Sequence, residues 1–115
     1  MYPFGNDAGN LGEHAWSDST TASKTHPVGQ KRPNAWGLYD MLGNVCEWCA
    51  DGYDRKYYAS SPAADPRGAS GAWYRVFRGG GWSSSATICR PAFRYGISPE
   101  SRVNGLGFRV AAVQE

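Results

Sequence analysis

Two carboxylates and three thiols are the residues whose types and spacing could do chemistry. Asp40 and Glu47 stand seven apart in the stretch 34–51 (NAWGLYDMLGNVCEWCAD), with Gly43 and Asn44 between them. A loop folding at Gly43 brings both carboxylates to one point, where backbone carbonyls can complete a cation shell. Ca²⁺ takes about six to eight oxygens and accepts such mixed shells. A glycine carbonyl turns inward without a side-chain clash. The competing reading is that Glu47 caps a turn or pairs with an arginine. Cys46 and Cys49 form a CxxC, which can be redox-active or half of a zinc site. Zinc needs two more ligands, and only Cys89, His14 and His26 are available, at no recognised spacing. On a strand Cys46 and Cys49 point to opposite faces, which defeats both roles. Cys89 has no histidine beside it in sequence and no activating motif, so nucleophilic catalysis is poorly supported. The triple glycine 79–81 is not a phosphate loop, because no GK[ST] follows it. It lets the backbone pass close to Trp82 or Trp48.

At 115 residues the chain is expected to be one domain, 1–115. Glycine is 15 of 115, well above the usual share of about 7%. Aromatics at 14% and charged residues at 19% point to a loop-rich fold whose core is built from rings. A net charge of +2 is no footprint for nucleic acid or membrane. The acids gather in 34–66, while 71–115 carries six arginines and no lysine. Arginine favours planar, bidentate contacts; these either tie loops to backbone carbonyls or face a ligand. With no apolar run of about 18 residues and no leader, the expectation is a cytoplasmic chain, or part of a larger or phage-borne product. Three cysteines do not make a disulfide framework.

The elements that must position these residues are short. Residues 1–10 read as an exposed opening, and 11–16 as a turn or strand with Leu11 and Trp16 inward. Pro27-Val28-Gly29 reads as an edge strand and 36–41 as one helical turn. Residues 45–50 alternate as a strand. A long connection, 51–71, precedes the β pattern 74–77, and connections of that length are often functional. Residues 89–95 read as an edge strand carrying Pro91, and 108–113 as the last strand. The expected core is Trp36, Leu38, Tyr39, Trp48, Val76, Trp82, Phe93, Phe108 and Val110.

Several blocks, in order, resemble the formylglycine-generating enzyme (sulfatase-modifying factor) family. They are Tyr2-Pro3-Phe4-Gly5, Pro27-Val28-Gly29, Asn34-Ala35-Trp36-Gly37-Leu38-Tyr39-Asp40-Met41, Gly43-Asn44-Val45 with Glu47-Trp48, Arg75-Val76 with Arg78-Gly79-Gly80, Cys89-Arg90 with Arg94, and Gly107-Phe108-Arg109. The resemblance implies an α+β, C-type lectin-like fold with short twisted sheets, few helices and much irregular loop. It also implies that the chain corresponds to the C-terminal half of a typical member. The family's structural Ca²⁺ site carries over: Asp40 and Glu47 match its side-chain ligands, Gly43 and Val45 its carbonyl ligands. The oxidase does not. Those enzymes bind copper with two cysteines that have four residues between them, and here a serine stands near the first position, leaving at most Cys89. Cys46 and Gly81 also replace the family's active-site tryptophan and serine. One soft ligand will not hold Cu(I) as two thiolates would, so the resemblance does not support copper.

Two functions of different class follow. One is a non-catalytic ligand-binding or display module, similar to the variable proteins of diversity-generating retroelements, which also have lectin folds. In that reading Trp82, Ser83, Ser85, Thr87, Tyr95, Ile97, Ser98, Ser101, Val103 and Asn104 face an unknown protein or carbohydrate. Tyrosine and serine on loops are adaptable contact residues. The other is a formylglycine-generating oxidase acting on a substrate cysteine, or a remnant of one. A half-length chain is also expected to self-associate or to have a reduced core.

Overall fold

The computed structural model describes residues 1–112. One helical turn, α1 (Leu11–His14), follows a 3-10 turn at Ala8–Asn10 whose N-terminal Asp7 side chain accepts the Gly9 N–H. Four strands form one mixed sheet: β1 (Cys46–Gly52), β2 (Arg75–Arg78), β3 (Tyr95–Ile97) and β4 (Leu106–Gly107), in the order β3-β2-β1-β4. β2 runs antiparallel to both β1 and β3, while β4 lies parallel to β1. Trp48 pairs with Phe77 and Gly52 with Arg75, so β1 carries extra residues between Trp48 and Gly52. Such a bulge bends a strand and sharpens its twist.

The main core lies beside the sheet. Tyr2, Leu11, Ala15, Leu42 and Cys89 cluster there, with Phe4 and Ala86 against them, and the Tyr2 hydroxyl donates to the Ala86 carbonyl at 2.8 Å. Much of the remaining order is loop backbone tied to loop backbone. Gly43 forms a parallel bridge with Trp16 and its N–H donates to the Gly79 carbonyl at 2.8 Å. The Asn44 N–H donates to Trp16, and the Asn44 carbonyl accepts from Trp82.

Several expectations are corrected. Residues 27–29 form a turn, with Gly29 donating its N–H to Asp40 Oδ2 at 2.8 Å. Residues 36–41 are not helical, because Asn34 Oδ1 accepts the N–H groups of Trp36 and Leu38 and so offers the backbone a closed turn instead. Residues 89–95 are mostly turns, and the strand begins only at Tyr95, past Pro91. The last strand ends at Gly107; Phe108 to Ala112 are irregular and Val113 lies outside the described residues.

The core expectation is also only partly met. Val76 is 1% exposed, and Trp48, Trp82 and Phe93 are half-buried. Trp36, Leu38, Tyr39, Phe108 and Val110 are exposed. Among the described residues no element lies over them. Their types reflect a preference for burial that this chain leaves unmet.

Gly43 and Gly29 both have φ near +75°, at 75° and 77°. A Cβ on Gly43 would collide with the Trp16 backbone, while one on Gly29 would meet nothing within 4 Å. We expect Gly29→Ala to lose about 1–2 kcal/mol from the left-handed backbone alone. Gly43→Ala adds a clash worth about 1–3 kcal/mol more. Urea melts of the two variants check this; equal losses would remove the Trp16 packing as the cause.

Candidate functional site

The structure brings Asp40, Gly43, Val45 and Glu47 around one groove of about 600 Å³, walled by Val28, Leu38, Tyr39, Phe108 and Val110. Asp40 reaches it from a left-handed position, φ 53°, and its side chain is buried. One carboxylate oxygen accepts from Gly29; the other, Oδ1, is buried and has no partner among the described residues. A buried acceptor left unmade costs about 1–3 kcal/mol, more when charged. Glu47 enters from β1.

Arg109 occupies part of the same floor. Its guanidinium donates to Glu47 from Nε at 3.0 Å and from Nη2 at 2.8 Å. The same Nη2 donates to the carbonyls of Tyr39, at 2.9 Å, and Asp40, at 3.1 Å. The hydrogen bonds to Glu47 push the Arg109 pKa further up, desolvation opposes this, and the charges of Glu47 and Asp40 add to it. Both readings of Glu47 therefore meet here: it pairs with an arginine, and it stands in the groove with Asp40. The donor set is hard oxygen, with one anionic oxygen unpartnered, and fits a hard divalent cation.

Arg109 is missing from the sequence-derived site because it lies 62 residues from Glu47. Most of the other C-terminal arginines also tie loops together. Arg78 donates to the carbonyls of Pro91 and Phe93, Arg90 to Thr87, and Arg94 to Asp54.

The two thiols of β1 part to opposite faces of the strand. Cys49 shares its face with Glu47, Asp51 and Arg78, and Cys46 points the other way. The CxxC is thus split, as strand alternation requires. Cys46 and Cys89, however, both lie beside Gly80. The Gly80 backbone lies within hydrogen-bonding reach of the Cys46 thiol, and a Cβ on Gly80 would sit 2.7 Å from Cys89 Sγ. Cys89 is fully buried. Burial, then the neighbouring Cys46 and then Asp18, push its thiol up from 9.0 to about 11. Cys46 is also raised, chiefly by burial. Two thiols, 43 residues apart in sequence, thus flank Gly80.

The expected ligand residues divide into two groups. Trp82 lies against Gly105, whose notional Cβ would sit 3.8 Å from the indole Nε1. The loop 82–88 therefore meets the end of the 98–105 loop. Ser101, Arg102 and Val103 line a cleft of about 370 Å³ whose other walls are Trp48 and Leu106. Trp48 and Arg102 were not among the expected ligand residues. Tyr95 and Ile97 lie on the far edge strand, where Tyr95 packs on Tyr53 and Phe77 with ring centroids 5.7 and 6.1 Å away. The side chains of Ser83, Ser85, Thr87, Ser101 and Asn104 make no hydrogen bond among the described residues. Ser98 accepts the Glu100 N–H, and Ser84 accepts the Gly81 N–H at 2.9 Å.

No helix of the described residues is long and apolar enough to cross a membrane. The chain is 43% identical over 90 residues to a formylglycine-generating enzyme of Streptomyces coelicolor, covering 76% of this chain and 29% of that protein. Among solved structures it resembles Treponema denticola variable protein 1, with 39% identity and a TM-score of 0.79, covering 90% of this chain and 37% of the other. It also resembles PvdO from Pseudomonas aeruginosa, with 32% identity and a TM-score of 0.76, covering 92% and 42%. The chain thus spans less than half the length of each of these relatives. Its fold is the formylglycine-generating-enzyme-like variant of the C-type lectin fold. The Sulfatase-modifying factor enzyme 1-like domain matches residues 1–113, and the chain belongs to that family.

Proposed function

We propose that this chain is a ligand-binding module on a Ca²⁺-stabilised scaffold. The observation that carries the reading is the division of labour in the C-terminal loops. Their backbone is anchored by Gly81, Ser84 and Gly105, while Ser83, Ser85, Thr87, Ser101, Val103 and Asn104 leave their side chains to meet a partner. The likeness to a protein named a variable protein supports the same reading. The partner would be a protein or carbohydrate seated on Trp48, Ser101 and Val103.

The Ca²⁺ would be held by Asp40, Glu47 and the carbonyls of Gly43 and Val45, with the unpartnered Asp40 oxygen as the strongest argument for it. A ligand of the folded state alone adds about 2.7 kcal/mol at a hundredfold excess over Kd. For a chain of this size that is several degrees in Tm. Thermal melts with Ca²⁺ and then chelator should show that shift, and Asp40→Ala and Glu47→Ala should abolish it. The absence of any shift in the parent chain would overturn the cation reading. Glycan and peptide arrays test the ligand: binding should be lost in Val103→Asp, while the Ca²⁺ shift is kept.

The convergence of Cys46 and Cys89 favours a second reading, an oxidase of the formylglycine-generating type. Copper in that family is held by two thiolates, and this chain would supply them from Cys46 and Cys89 instead of from one loop. Competition against a chromogenic Cu(I) chelator should show one tightly held ion, lost in Cys46→Ser and in Cys89→Ser but kept in Cys49→Ser. Retention of the ion in Cys46→Ser would sink this reading.

The same pair has a pH signature. The folded pKa of Cys89 is raised, so the stability contributed by keeping the thiol neutral is complete below about pH 9 and is lost as pH rises through about 11. Two pKa steps correspond to about 2.7 kcal/mol. Between pH 9 and pH 11 the parent chain should therefore lose up to that much more stability than Cys89→Ala, measured by urea melts. Parallel losses would show that burial does not hold the thiol neutral.

A further inference from the structure

Glu47 has two claimants. The proposed cation needs its carboxylate, and Arg109 already holds it. A carboxylate offers about four lone-pair sites. Arg109 makes three contacts with them: Nε donates to Oε1 at 3.2 Å and to Oε2 at 3.0 Å, and Nη2 donates to Oε1 at 2.8 Å. One planar fork thus engages both oxygens, a geometry that an ammonium cannot copy. The same Nη2 donates to the carbonyls of Tyr39 and Asp40, at 2.9 and 3.1 Å. The parallel register explains the meeting. It sets Gly107 beside Glu47, and Arg109 follows two residues later, lining the groove with Asp40 and Glu47.

Charge and exposure decide how the two claimants share the carboxylate. A unit positive charge about 5 Å from a divalent ion, in water-like surroundings, weakens the binding of that ion by about tenfold. Arg109 therefore opposes the cation even where it leaves room for it. Its hold on Glu47 is also open to water, with 36% of the Arg109 side chain and 24% of that of Glu47 exposed. Pairs that wet are weak, so a divalent ion can win the carboxylate. The two carbonyl contacts do not involve Glu47 and can stay. We propose that Arg109 is the built-in competitor of the cation: it holds Glu47 in the cation-free chain, yields it when the ion binds, and so sets the affinity. This inference rests on the cation reading above and adds the residue that limits it. The loop 40–47 is then closed by a positive charge in both states, and the ion enters by exchange.

Calorimetric titration with Ca²⁺ compares the parent with Arg109→Gln and Arg109→Lys. The glutamine removes the charge and should bind Ca²⁺ about tenfold tighter, a change of about 1.4 kcal/mol. The lysine keeps the charge and should stay near the parent. Proton–nitrogen spectra of the parent follow Arg109 itself and need no variant to fold: its Nε–H signal should move, at saturating Ca²⁺, toward that of an unpaired guanidinium. Two results overturn the proposal and leave the cation reading standing: a parent that binds Ca²⁺ with the Nε–H signal unmoved, or an Arg109→Gln chain that binds no tighter than the parent. Ca²⁺ bound by none of the three chains overturns both.

Discussion

The structure depends on one buried dipeptide, Gly43-Asn44. Asn44 sits in the left-handed region, φ 62°, and is 6% exposed. Its amide exchanges two hydrogen bonds with the backbone of His26, accepting from the N–H at 3.0 Å and donating to the carbonyl at 3.1 Å. Its own backbone joins Trp16 to Trp82, and Gly43 adds Gly79. Three distant segments thus meet at two residues. Each such bond contributes only about 1 kcal/mol net, but leaving a buried partner unmade costs about 1–3. With one α-helical turn, two 3-10 turns and four short strands among the described residues, this asymmetry is a principal source of definition. The loops must close on one another or strand polar backbone away from water.

The same dipeptide sets the relation between the two candidate centres. β1 begins two residues later, and strand alternation sends Cys46 and Glu47 to opposite faces. Glu47 turns toward Asp40 and Arg109. Cys46 turns toward Gly80 and Cys89. A hard-oxygen floor and a soft-sulfur pair therefore stand back to back across one strand, without sharing a donor. Gly80, with φ 71°, permits this because any side chain there would displace the Cys89 thiol.

Local features were legible in the sequence, and long-range ones were not. The alternation of residues 45–50 located β1 to within two residues, and the 74–77 pattern located β2. The divergence of Cys46 and Cys49 followed from the same period. The helical turn at 36–41 failed because a single side chain, Asn34, captured two N–H groups. That Glu47 pairs with an arginine was among the readings, but that Arg109 is the partner, and that Cys46 and Cys89 flank one glycine, follow from no spacing; each needs the path of a whole loop. The exposure of Trp36, Phe108 and Val110 escaped for another reason. Hydrophobicity records that a residue gains by burial, not that the chain itself supplies the cover.

The floor of the groove shows how these levels meet in one balance of charge. Arg109 makes a two-pronged pair with Glu47, but it is partly exposed, with 36% of its side chain and 24% of that of Glu47 open to water. Exposed pairs of this kind contribute about 0–1 kcal/mol. Arg109 also reaches the Asp40 carbonyl yet leaves Asp40 Oδ1 unpartnered. The deficit is thus on the buried side and the compensation on the wet side. On the proposed reading, a divalent cation would meet Asp40 Oδ1 while Arg109 kept its contacts with the Tyr39 and Asp40 carbonyls. Arginine steadies the loop on the wet side and leaves the buried oxygen unanswered.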